Sequence, residues 1–221
     1  MKIQNIVLAA TLAAAIAPQA VAVDFGLPKL GKSNAASSGN VDADIKSFLQ
    51  TADEARQLTG QSALSLGQAL LTKTEMEAAE AALAAANAIA DPKEKEAAKA
   101  KVVTDVQAQL AKVDFDAAAK ELAKANDKKK NALVGNSMFN FVLGLLKDKE
   151  LASRGSALAS SAASNPMLLA KAGQVKDVLS SLSSQMGDMG KIATGLQKMA
   201  TTIKSVPLPT SASAAPVAIA D

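Results

Sequence analysis

The sequence predicts an all-α fold, an elongated antiparallel helical bundle of about four to six helices with coiled-coil-like packing and disordered termini. Three observations predict it. Ala, Leu, Lys, Glu and Gln are plentiful, and β-branched residues are few outside apolar seam positions, a mixture that favours helix. No run of alternating apolar and polar residues suggests a strand. Apolar residues instead recur at spacings of three and four, most sharply over 166–205.

The order along the chain divides into four parts. Residues 1–22 read as a secretory signal peptide. Lys2 gives the positive start, Ile6 to Ala17 the short apolar stretch, Pro18 the break, and Ala20-Val21-Ala22 the small-x-small cleavage pattern. The apolar stretch is about 12 residues, too short for a bilayer that needs roughly 20. Residues 23–40 read as a flexible linker, since Gly26, Pro28, Gly31, Ser33, Ser37, Ser38 and Gly39 disfavour packed structure. Residues 41–206 form the helical domain, and 207–221, rich in Pro, Ser and Ala, read as a disordered tail.

Within the domain, a first helix is expected from Val41 to Leu71 on the spacing of Ile45, Phe48, Leu49, Ala52, Ala55 and Leu58, with Gly60 able to kink or split it. Thr72-Lys73-Thr74-Glu75 has the form of a capping box and opens a second helix towards Ala90. Asp91-Pro92-Lys93-Glu94 is the clearest boundary, with a cap, a proline at the first helical position and an acid at the third. Val102, Val106, Leu110 and Val113 share a face of the third helix. Asp114-Phe115-Asp116 interrupts that helix or is read straight through. From Ala117 to Ala163 the pattern is one long helix that changes character at Lys130, where a Lys-rich amphipathic stretch gives way to uncharged Ala132 to Leu146. Those 15 residues make about 22 Å of helix, short of a span, so burial in the protein core is expected. Asn165 and Pro166 open the last helix. Its seam runs Leu168, Ala172, Val175, Leu179, Leu182, Met186, Met189, Ala193, Leu196, Ala200 and Ile203. Such a stripe needs a partner helix, in the same chain or in a second copy.

Function is narrowed mainly by exclusion. The chain has no His, Cys, Trp or Tyr. His and Cys have pKa values near neutral pH and bind most tightly held transition metals, so the usual catalytic and metal-binding inventory is missing. No cysteine also means no disulfide, even in an oxidising compartment. Removing Lys2 with the leader from 24 basic and 21 acidic groups leaves a charge near +2, too mild to argue for nucleic acid, and the only aromatic side chains are five Phe.

The remaining chemistry has plainer readings. Asp42/Asp44, Asp114/Asp116 and Glu77/Glu80 are carboxylate pairs, but they sit at helix starts or on one exposed face, where acids complement the helix dipole. Serines cluster at 153–164 and 180–184, yet no Ser-x-x-Lys accompanies them. Small polar residues on close-packed helices account for them better. Gly187, Gly190 and Gly195 fall inside the last helix, where each costs roughly 1 kcal/mol against Ala and so points to tight packing or a flexible spot. No catalytic, cofactor or metal site is expected.

The expected role is that of an exported, non-enzymatic protein of the bacterial cell envelope, periplasmic or extracellular, that binds or scaffolds an envelope protein or an apolar ligand. Met138, Phe139, Phe141, Met186, Met189 and Met199 are the candidate lining, being adaptable and apolar. Oligomerisation through the 166–205 helix is open. The alternative is a membrane-active protein that inserts 132–170 as a hairpin, with the charged stretch Lys147 to Arg154 as its tip and Lys128-Lys129-Lys130 drawing it to anionic lipid.

Overall fold

The computed structural model describes residues 41–203 and 207–219; the expected leader (1–22) and linker (23–40) lie outside the described residues. Six α-helices follow one another: α1 (Val41–Leu70), α2 (Lys73–Asn87), α3 (Pro92–Leu110), α4 (Phe115–Ala125), α5 (Lys128–Ala163) and α6 (Leu169–Ile203), with a short 3-10 turn at Pro166–Leu168. The all-α helical bundle is thus the observed fold, and no strand occurs among the described residues.

Short polar side chains set most of the boundaries. At α2 the capping box forms in full: Glu75 N–H donates to Thr72 Oγ1 (3.3 Å) and Thr72 N–H to Glu75 Oε2 (2.9 Å). The Thr72 hydroxyl, then its backbone N–H, hold the Glu75 carboxyl below its usual range. Asp91 Oδ1 accepts from Lys93 and Glu94 N–H (both 2.9 Å), with Pro92 at the first helical position. Asp114 caps α4 by accepting from Asp116 and Ala117 N–H, so the chain does break there.

Two expectations change. Gly60 neither kinks nor splits α1, which runs unbroken. The long helix expected from Ala117 is two helices. Asn126 takes a left-handed conformation (φ 49°) and ends α4, and Asp127 then caps α5 by accepting from Lys130 N–H. Asn tolerates that conformation better than most residues, and Asp is a strong cap, so the pair stops and restarts the helix.

Three long helices form the frame. α1 runs antiparallel to α5, with Ile45 and Phe48 at the Ala159–Ala162 end of α5 and Leu66 at the Val134–Met138 end. α5 runs antiparallel to α6 in the same way. One close approach lies at Gly144 of α5, where an added Cβ would stand 3.1 Å from the Ala55 carbonyl oxygen of α1 and closer still to the Thr59 methyl. A second close approach sets Gly155 of α5 against Leu179 of α6. α2 and α3 pack as a pair, α3 also lies on α1, and α4 lies on α6.

Buried apolar residues gather in two clusters. One end joins Leu66 (α1), Leu110 (α3), Phe115 and Leu122 (α4), Met138 and Phe141 (α5), and Ile192, Leu196 and Met199 (α6). The other joins α1, α5 and α6 only, through Ile45, Phe48, Ala55, Leu151, Ala162 and Val175. The α6 seam therefore finds its partners inside the chain. Its C-terminal half is buried more widely than a heptad seam, because α4 covers Ile192 and Gly195 as well; around Leu179, Leu182 and Met186 it is half-buried.

The tail differs from its expectation. Pro207–Ile219 is placed against the bundle: Leu208 packs on the larger core, Pro209 is buried, and the chain reverses near Ser211–Ala214 before reaching α5. Its Pro and Ala residues carry little conformational freedom to lose, so few contacts suffice to order it.

Candidate functional site

The six candidate lining residues do not form a surface. Met138, Phe141 and Met199 are fully buried and Met189 is 2 % exposed; all four pack against one another's neighbours in the larger core. Phe139 and Met186 are half-buried, on different helices. The physical reason is supply of partners: α3 and α4 close over this end of the bundle, so side chains that could have lined a groove fill a core instead.

Clefts lie elsewhere among the described residues. One, about 340 Å³, lies between α2 and α3 and is lined by Ala78, Ala79 and Ala82 on one wall and Val102, Asp105 and Val106 on the other. The second, about 410 Å³, lies where the α3–α4 turn meets α6, with Asp114, Asp116, Lys191 and Lys198 at its rim. None of the six candidate residues lines either cleft.

The acidic pairs are occupied structurally. Asp42 pairs with Lys171 of α6, tying α1 to α6; Glu77 pairs with Lys73 (3.6 Å); Asp114 is a cap. No group of three or more metal-ligating side chains occurs among the described residues. The serine clusters are mostly exposed rather than close-packed. Ser153, Ser160, Ser164 and Ser184 each donate to a carbonyl of their own helix one turn back, which is how an exposed helical serine satisfies its hydroxyl. Lys128, Lys129 and Lys130 are exposed at the first turn of α5. Gly195 lies under the Phe115 ring with no room for a Cβ, whereas Gly187 and Gly190 face open space.

The hairpin expected over 132–170 is not present in this arrangement. Lys147 to Arg154 lies in the middle of α5, where Arg154 and Glu150 form an i, i+4 pair (3.2 Å) that favours helix, and the chain turns only at Ser164–Leu168. Met167 (91 % exposed) and Leu169 sit at that turn. Among the described residues no helix is long and apolar enough to cross a membrane.

Two polar features are buried where sequence reasoning placed only a charged tip and an apolar helix. Lys147 and Asp148 are 3 % and 4 % exposed. Asp148 lies on the α1-facing side of α5, one turn beyond Gly144, and its Oδ1 has no hydrogen-bond partner. Burial raises its pKa to about 6, with the Arg56 guanidinium offsetting part of the rise. Arg56 is itself paired with Asp53 at 3.2 Å, on the solvent side. Ser62 and Ser137 add two further buried hydroxyls without partners.

The second feature is a clamp. Asn140, 4 % exposed, donates from Nδ2 to Val217 O (2.7 Å) and accepts at Oδ1 from Val217 N–H (2.9 Å). One turn earlier, Asn136 Nδ2 donates to Ala218 O (2.7 Å). Two amides at i and i+4 thus hold three main-chain groups of the tail. The signal was legible: Asn136 and Asn140 are the two amides of an uncharged, mostly apolar stretch, and four residues apart they share a face. Comparison of the chain with known protein families, curated proteins and solved structures yields no match to any of them.

Proposed function

We propose that this chain is an exported, non-enzymatic helical-bundle protein of the bacterial cell envelope that binds or scaffolds another protein. The observation that supports it is the pairing of a leader-like N-terminus (Lys2, the apolar stretch to Ala17, Ala20-Val21-Ala22) with a helical domain that has neither His nor Cys. Between a protein partner and an apolar ligand held between helices, the burial of Met138, Phe141, Met189 and Met199 favours the protein, because those side chains are already used within the core. The membrane-inserting reading needs a tip at 147–154, where α5 runs straight through, and no other observation favours it.

Expression of the full chain in a bacterium, followed by fractionation and mass measurement, tests the proposal. The expected result is a mature protein beginning at Val23 in the periplasmic or extracellular fraction, retaining a protein partner when purified from envelope extract. Retention of the first 22 residues in a cytoplasmic protein, or turnover of any substrate well above background, overturns it.

A further inference from the structure

The C-terminal segment is held through its backbone. Asn140 uses one donor and one acceptor on the N–H and C=O of a single residue, Val217, the pattern by which a neighbouring β-strand would read that residue. Asn136 takes the next carbonyl, that of Ala218. No side chain of Val217 or Ala218 contributes a polar contact to this hold. Recognition therefore asks for an extended main chain with small side chains and is otherwise tolerant of sequence, as in strand addition to a sheet edge. The segment also carries no charge from Pro207 to Ala220. It is anchored at its other end by Leu208 on the larger core and by buried Pro209.

The receiving face is built for contact. Leu143 and Lys147 lie three and seven residues beyond Asn140, and both are buried. Asn140 itself would be an expensive group to bury without partners, roughly 1–3 kcal/mol for unmet hydrogen bonds. An amide buried this deeply on a helix whose neighbours are apolar thus has a defined use, and the use on view is the grip on a passing backbone.

We propose that the Asn136–Asn140 face of α5 is a docking site for an extended, uncharged polypeptide segment of small residues, and that the chain's own residues 207–219 are its resident, exchangeable occupant. The tail is a built-in competitor. Tethered to α6, it meets the site at an effective concentration in the millimolar range, so an incoming segment binds only when it outcompetes the tail or when the tail is drawn away. The proposal deepens the binding reading above by naming a partner chemistry, and rests on it only for biological use. Export can fail while exchange succeeds, and exchange can fail while the envelope protein still captures a partner through another face.

The test uses full-length protein and a fluorescein-labelled synthetic peptide of residues 207–221. In one variant the tail alone is weakened, by Leu208→Ser and Val217→Pro; the second removes the N–H that Asn140 accepts while leaving an extended backbone intact. Fluorescence anisotropy is expected to show peptide binding to this variant at least tenfold tighter than to the wild type. Adding Asn140→Ala to it should weaken binding tenfold or more. Adding Asn136→Ala, at a half-buried position that does not threaten folding, should weaken it several-fold. Equal binding to wild type and tail variant overturns the proposal, as does no binding to the tail variant, or binding that neither Asn substitution changes.

Discussion

The two ends of the bundle solve the same packing problem with different means. At one end five helices meet, and their 14 buried residues include only two alanines, the rest being Leu, Ile, Val, Met and Phe. At the other end three helices meet, and five of nine buried residues are alanine. More helices leave more interior to fill and so call for large side chains. Three helices have little interior, and small residues let the backbones close in. The chain thus gains most of its apolar burial at the end where α3 and α4 join, while the opposite end relies on close approach, with an ion pair from Asp42 to Lys171 across α1 and α6. Between them lies a layer that belongs to neither, where Gly144 meets Thr59 and Asp148 is buried one turn further along α5.

Substitution at the five-helix end should do the most damage. Phe141→Ala removes a fully buried ring and is expected to cost about 3–5 kcal/mol in a denaturant titration. If Leu151→Ala, at the three-helix end, proves equally costly, the contrast in packing is wrong.

The layer between them sharpens the comparison through pH. Asp148 has a folded pKa of about 6, above its ordinary 3.8, so between those values the folded state holds a proton that the unfolded state releases. Stability from this group is therefore highest below pH 4 and falls as pH rises through 6. Asp148→Asn should stabilise the protein by up to about 3 kcal/mol above pH 6, the equivalent of a shift of this size, with the gain fading to nothing by pH 4. Paired unfolding curves at pH 4 and 7.5 measure it; a gain equal at both pH values would show that the buried charge is not the cause.

Two glycines of α6 give the finest test. Gly187→Ala faces open space and should stabilise by about 1 kcal/mol through helix propensity alone. Gly195→Ala, at the five-helix end, meets the Phe115 ring and should destabilise by about 1–3 kcal/mol as an overpacked site. Thermal melts that move in the same direction for both would remove the distinction between filled and open parts of the helix.

Much of the architecture was legible in local chemistry. Thr72 with Glu75, Asp91 with Pro92, and Asn165 with Pro166 are boundary signals because each satisfies orphan backbone groups within four residues. The break at Asn126–Asp127 was hidden because Lys and Ala on both sides are strong helix formers, and the left-handed turn of one Asn leaves no mark on periodicity. The site was less legible. Met138, Phe141, Met189 and Met199 are suited equally to a groove or a core, and which one they become depends on whether α3 and α4 close over them. The Asn136–Asn140 spacing was plain, but its meaning depends on a segment some 80 residues away arriving beside it. Composition alone reads that segment as free, because it registers what a chain lacks and not what awaits it.

The contact of Thr59 and Ala55 with Gly144 has a consequence in time. Among the described helices α1 precedes its main partner α5 by three others, α2, α3 and α4. During synthesis α3 can cover only part of the apolar side of α1; the rest waits until α5 is made, and Gly144, which leaves room for Thr59, arrives with it. Bringing α5 back onto α1 is a long-range step, and the pair closes only with the space that Gly144 leaves for Thr59.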